Sequence, residues 1–200
     1  MKKSVRLIVV LSVVVALAAA WVWRYVTLNQ YYDDLNNSDY KLYQAGELIP
    51  FEDDGNDLRT DLNGYHLRVD GYEVKDYDAY LSETGISLPN KQDAPEKLAL
   101  VYITLVNESC DPNPVNMTGF TLRGVDTVVN MDWDVLVKAN PILEGTTGIA
   151  LRKGTECKLV LPYKLSREGF KRTTWWRIDK YKMYLQVTGS LTQKEVCING

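Results

Sequence analysis

The sequence predicts a mainly β protein, a β-sandwich preceded by one N-terminal transmembrane helix and a short stalk. Three observations carry that prediction. Residues 7–23 are apolar except for Ser12 and follow the basic residues Lys2, Lys3 and Arg6. From residue 63 onward the chain breaks into short alternating runs divided by Gly, Pro, Asn and Ser, as in a sandwich of short strands. Outside the apolar stretch only two short helices are expected, near Asp76–Ser82 and near Ser166–Phe170.

Residues 1–6 form a basic region expected to stay in the cytoplasm, and 7–25 an anchor helix. The 17 residues from Leu7 to Trp23 are at the lower limit for crossing a bilayer. Trp21, Trp23 and Tyr25, with Arg24, read as an interfacial belt. The alternative is a cleavable signal, with Ala18-Ala19-Ala20 as the small-residue site and Trp21 as the first mature residue. Residues 26–62, polar and acidic, read as a stalk and lead-in, leaving 63–200 as the sandwich domain.

Within that domain, "GYHLRVDGYEV" places Tyr65, Leu67 and Val69 on one face and His66, Arg68 and Asp70 on the other. "KLALVYITLVNES" is apolar on both faces, as in a central strand, and ends in a turn at Asn107-Glu108-Ser109. "GFTLRGVDTVVNM", "DWDVLV" and "GIALRKG" read as further short strands. "TECKLVLPY" and "KYKMYLQVTG" follow, the second with Tyr181, Met183, Leu185 and Val187 on one side, and "TQKEVCI" is the last strand.

These features resemble those of small uncharacterised surface proteins of Gram-positive bacteria. The likeness lies in a basic-apolar N-terminus, an acidic stalk, "LNGYHLRVDGYEVKDYDAYL", "LALVYITLVNES" and a late "LVLPYKLSREGF" followed by Trp. It covers about residues 46 to 198. It implies a single immunoglobulin-like sandwich behind a signal anchor, a domain of unknown function at the cell surface, and it carries no catalytic or binding residues. The Cys…Trp…Cys framework of immunoglobulin domains proper is missing.

Composition narrows the function classes. Apolar residues at 46% and charged ones at 24% are ordinary for a globular domain and argue against wholesale disorder, and a net charge of −3 gives no bias toward nucleic acid. The one histidine, His66, is expected on a solvent face without the partners of a triad or zinc site. Neither G-x-S-x-G nor G-x-x-x-x-G-K-[ST] occurs. The run "EDDGND", Glu52 to Asp57, fails the EF-hand spacing and reads as a solvated loop. No metal or cofactor is expected.

Strand parity puts Cys157 in the core beside Leu159 and Leu161, and Cys197 on the polar side of the last strand; Cys110 falls in a loop. If a disulfide forms, the expected pair is Cys110–Cys197. Charge is segregated: 33–78 holds thirteen acids against four bases, and 150–182 ten bases against three acids. Either the two halves neutralise each other within the fold, or the basic half is a contact face for an anionic partner. On the second reading Lys171, Arg172, Trp175, Trp176 and Arg177 are the candidate contacts, since bases interleaved with large aromatics combine charge with flat apolar area. The function expected is a non-enzymatic interaction module, single-pass in the cell membrane with its C-terminal domain outside. Its partner would be an envelope protein or an anionic wall polymer. The alternative is a wall-carbohydrate hydrolase built on an unidentified carboxylate pair.

Overall fold

The computed structural model describes residues 11–25, 40–51, 61–88, 94–109, 111–189 and 192–199. The chain divides into two units, Met1–Ser38 and Asp39–Gly200. In the first, residues 11–25 are helical, and the side chains are exposed along the whole run, Leu17 at 66% and Trp23 at 75%. The ring of Trp21 stacks on Tyr25 one turn later, centroids 5.6 Å apart. Residues 7–10 of the expected span lie outside the described residues, and among the described residues no helix is long and apolar enough to cross a membrane.

The second unit is mainly β, with eleven strands among the described residues. One sheet runs β2-β3-β4-β9, formed by Leu48–Pro50, Tyr65–Asp76, Lys97–Asn107 and Thr155–Leu165. A second runs β1-β11-β10-β6-β7, formed by Tyr40–Gln44, Gln193–Cys197, Met183–Thr188, Thr121–Gly124 and Val128–Val129. A small pair joins β5 (Pro114–Asn116) to β8 (Gly148–Ala150).

The two larger sheets share one core, as in a sandwich. Leu67, Val69, Ile103, Leu105, Leu161 and Tyr163 from the first meet Leu122, Met183, Leu185 and Val196 from the second. The alternation expected in β3 holds as far as Val69. There the register slips, with Val69 opposite Ile103 and Gly71 opposite Tyr102, so Asp70 is the extra residue of a bulge. Beyond it the inward residues are Tyr72 and Val74, because a one-residue insertion exchanges the faces.

β4 is central and buried on both sides, as expected. Ala99, Val101 and Ile103 face the main core. Leu98 and Leu100 meet Tyr77, Tyr80, Leu81 and Val135 in a second cluster under two helices. These helices are α1, Tyr77–Thr84, and α2, Trp133–Ala139. α1 was expected: Asp76 caps it by accepting from the Ala79 N–H at 3.2 Å, and Gly85, at φ 68°, ends it. The second expected helix is a 3-10 turn, Arg167–Gly169.

Three expectations are corrected. "DWDVLV" forms α2 and not a strand: Asp132 accepts from the Val135 N–H at 3.2 Å, which starts a helix that buries Val135 and Leu136. The domain begins at Asp39 and not at 63, because β1 and β2 belong to its sheets. β1 lies parallel to β11, Tyr40 opposite Gln193, so β11 is an interior strand. The third correction follows from the second. Cys197, between Gln44 and Tyr184, is buried to 3% exposure and not on a solvent face. Beside it Glu195 takes bonds from Tyr40 (3.1 Å), Arg123 (3.0 Å) and Gln193 (2.8 Å), and burial, then Glu195, pushes the Tyr40 hydroxyl up to about 12.

Candidate functional site

The basic segment connects β9 to β10 and is a chain of short turns laid on aromatic side chains. After Leu165 come the 3-10 turn at Arg167–Gly169, the single helical turn α3 (Arg172–Trp175) and a 3-10 turn at Ile178–Lys180. The Glu96 carboxylate fixes the start by accepting from the Arg167 N–H at 3.0 Å. Thr174 and Trp175 N–H groups both donate to the Lys171 carbonyl at 2.9 Å. Ile178, 1% exposed, plugs the middle into the core. Asn199 holds the end: its amide donates to the Tyr181 carbonyl at 2.7 Å and its oxygen accepts from Met183 N–H at 2.9 Å.

Phe170, Trp175 and Tyr181 form the shelf beneath. Phe170 meets Trp175 at 6.1 Å and Tyr181 edge-on at 5.9 Å, and the Lys97 ammonium lies 5.8 Å from the Trp175 ring centre. The Tyr181 hydroxyl donates to Asp126 at 2.7 Å and accepts from the Val125 N–H at 3.1 Å. Asp126 also pairs with Lys171 at 2.8 Å. Lys171, then Tyr181, holds its carboxyl below the usual carboxylate range.

The five expected contact residues therefore divide. Lys171 is tied to Asp126, and Trp175 is half-buried against the core. Arg172, Arg177 and Trp176, the last 70% exposed, face solvent. In the sequence, Lys180 and Lys182 belong to the basic count and Tyr181 is read there as a strand residue, but none of them, nor Thr173 and Thr174, is among the five expected contacts. With Arg177 they line a concavity of about 350 Å³. Its signal was the basic count itself, but convergence depends on the turn at Ile178–Lys180, which has no period to read. Within the described residues the ion pairs of the bases between 150 and 182 run to Asp111, Asp126 and Asp132. Across the two halves, Lys158 acts on Asp70 and helps to lower its pKa, while Asp33, Asp34, Asp39, Glu52, Asp53, Asp54 and Asp57 lie outside the described residues.

The other singled-out residues lie elsewhere. His66 is half-buried and not exposed: its Nδ1, buried without a hydrogen bond, lies 4.0 Å from Glu108. Cys157 faces the core beside Leu159, as parity predicts, but is only half-buried, and desolvation raises its thiol. Cys197 is a free thiol, and Cys110 lies outside the described residues, as does Glu52–Asp57. Among the described residues no three His, Cys, Asp or Glu side chains gather as a metal centre requires.

Two further concavities are present. One, about 440 Å³, is lined by Trp133, Val137, Leu143 and the turn Gly145-Thr146-Thr147. The other, about 480 Å³, sits on the β3 bulge, where Asp70 accepts from Thr104 and from Arg68 at 2.6 Å, with Lys158 and Tyr102 in its walls. Burial opposes ionisation of Asp70, but the bonds from Thr104 and Arg68 outweigh it and lower its pKa.

Fold and surface together define a class: a small sandwich-like β domain that presents an exposed basic, aromatic segment between two strands. The chain belongs to the family described as a domain of unknown function, DUF5028, which matches residues 40–194. The match begins at the first residue of β1. Among solved structures the chain is similar to the yjhA protein from Bacillus subtilis. Identity is 14%, with 78% of this chain and 98% of that chain covered, at a TM-score of 0.40. Comparison with curated proteins found no match.

Proposed function

We propose that this protein is a non-enzymatic interaction module of a Gram-positive envelope, tethered outside the cell by its N-terminal helix and touching an anionic partner through the segment 167–182. The observation that carries the reading is the exposed trio Arg172, Trp176 and Arg177, with neither arginine in an ion pair among the described residues. Charge without a partner, next to a large exposed ring, is the composition of a contact surface. Support for the tether is a helix apolar on every side, which water leaves unsatisfied and a bilayer or a partner would cover. The immunoglobulin-like reading is kept at the level of architecture, two sheets over one core. The order β2-β3-β4-β9 differs from the ABED order of constant-type domains.

The hydrolase alternative requires two carboxylates facing each other across a cleft. The three concavities described above contain a single lining carboxylate, Asp70, and it is held by Arg68 and Thr104.

The test uses the full chain in maltoside micelles, sedimented with wall fragments across a salt series. Arg172→Gln with Arg177→Gln should weaken association by about 2 kcal/mol at low salt, fading as salt rises, with the melting temperature unchanged. Failure of the unmodified chain to cosediment at low salt would overturn the reading.

A further inference from the structure

Resting on that reading, we infer that the concavity lined by Thr173, Thr174, Arg177, Lys180, Tyr181 and Lys182 seats one phosphate diester group of a polyanionic chain.

Three cations converge on this hollow from successive pieces of backbone. Arg177 follows the helical turn, Lys180 ends the 3-10 turn and Lys182 leads into β10. All three are exposed, and among the described residues none pairs with a carboxylate. The Lys182 ammonium lies 5.6 Å from the centre of the Tyr184 ring, a contact that leaves its charge intact. No acid lines the hollow. Asp126, near its Tyr181 wall, is already engaged by Lys171 and the Tyr181 hydroxyl. Asp179, between Arg177 and Lys180 in sequence, is exposed and does not line the hollow.

Arg68, Lys75, Arg123, Lys153, Lys164 and Lys171 each lie within pairing distance of an acid. Three like charges around one hollow repel each other, and an anion relieves that repulsion. The donor set selects the anion. The lining residues bring a guanidinium fork, two ammoniums and two threonine hydroxyls, a donor set that suits a tetrahedral group with several acceptor oxygens better than a planar carboxylate. A volume of about 350 Å³ exceeds one phosphate and leaves room for the carbon linkages on either side of a diester. Trp176, adjacent in the chain to Arg177 and 70% exposed, offers a flat face to such a linkage.

The full chain in maltoside micelles and phosphate-free buffer is titrated with three probes: a glycerol phosphodiester oligomer, polyglutamate of equal charge, and phosphatidylglycerol vesicles. Amide shifts across 173–182 are followed by NMR. The oligomer should saturate these shifts and bind about tenfold tighter than polyglutamate. Lys180→Gln with Lys182→Gln should weaken oligomer binding about tenfold at an unchanged melting temperature. The charge-matched pair Lys138→Gln with Lys153→Gln should leave it as it was. Equal affinity for polyglutamate, full binding by the Lys180/Lys182 variant, or binding to vesicles without binding to the oligomer would each overturn the diester seat while sparing the anionic contact surface. If none of the three probes binds, the contact surface falls as well.

Discussion

Gly124, at the end of β6, has no room for a side chain. A Cβ there would come within 2.4 Å of Tyr181 Cε1 and 2.8 Å of its hydroxyl oxygen. That ring is pinned by Phe170 on one side and by the bonds of its hydroxyl to Asp126 and Val125, so it cannot swing away without cost. Gly124→Ala should therefore destabilise the domain by about 1–3 kcal/mol and free Lys171 by disturbing Asp126. Urea unfolding checks the first effect; an unchanged midpoint would show that the ring yields freely. Cys197 teaches the complementary lesson. Its position, alternate to Gln193 and Glu195, reads as the polar side of a strand, and that face is polar. It is buried all the same, because strands pair with β11 on both edges and Glu195 satisfies its charge with three neighbours. Polarity of a face is visible in sequence; whether neighbours cover it is not.

Among the elements, legibility followed length and burial. β4, β9 and β10 carry long apolar patterns whose inward residues, such as Ile103, Leu161 and Leu185, are where the period puts them. β3 was legible up to Asp70, and the bulge there was also written in the sequence, as the change from odd to even apolar positions at Asp70-Gly71. α2 was hidden, because a run as short as Trp133–Ala139 satisfies a strand or a helix equally well. What decides it is Asp132. Its carboxylate, 2% exposed, caps the helix and lies 3.8 Å from the Lys164 ammonium. Asp132→Ala should lower stability by about 1–2 kcal/mol, whereas Asp132→Asn, which keeps the cap, should recover most of it. Equal urea midpoints for the two variants would mean that the cap does not set the helix. β1 was hidden for another reason. Its apolar residues fall on both faces, Tyr40 and Leu42 on one and Tyr43, packed on the core, on the other, so it gains its place by parallel pairing to β11 and by the bond from Tyr40 to Glu195, neither of which has a local signature.

For the whole molecule, the sequence showed where positive charge accumulates but not how it is held. Lys153, Lys164 and Lys171 are bound to local acids, Asp111, Asp132 and Asp126. The N-terminal helix poses the same question in apolar form. Leu11, Val13, Val14, Val15, Leu17, Trp21, Val22 and Trp23 are each more than half exposed, a surface that soluble proteins rarely leave to water. A bilayer would cover it, with Trp21, Trp23 and Tyr25 at the interface. On this proposal the intact chain fractionates with membranes, and protease added to wall-less cells degrades the domain from residue 40 onward. The competing outcome is cleavage after Ala20, which would release the domain and leave Trp21 at its N-terminus. Because Ala18 to Ala20 lie within the helical run, cleavage would require that turn to unwind in the peptidase site. Sequencing the N-terminus of the protein recovered from cells separates the two: a chain that starts ahead of Leu7 supports the anchor, and one that starts at Trp21 abolishes it.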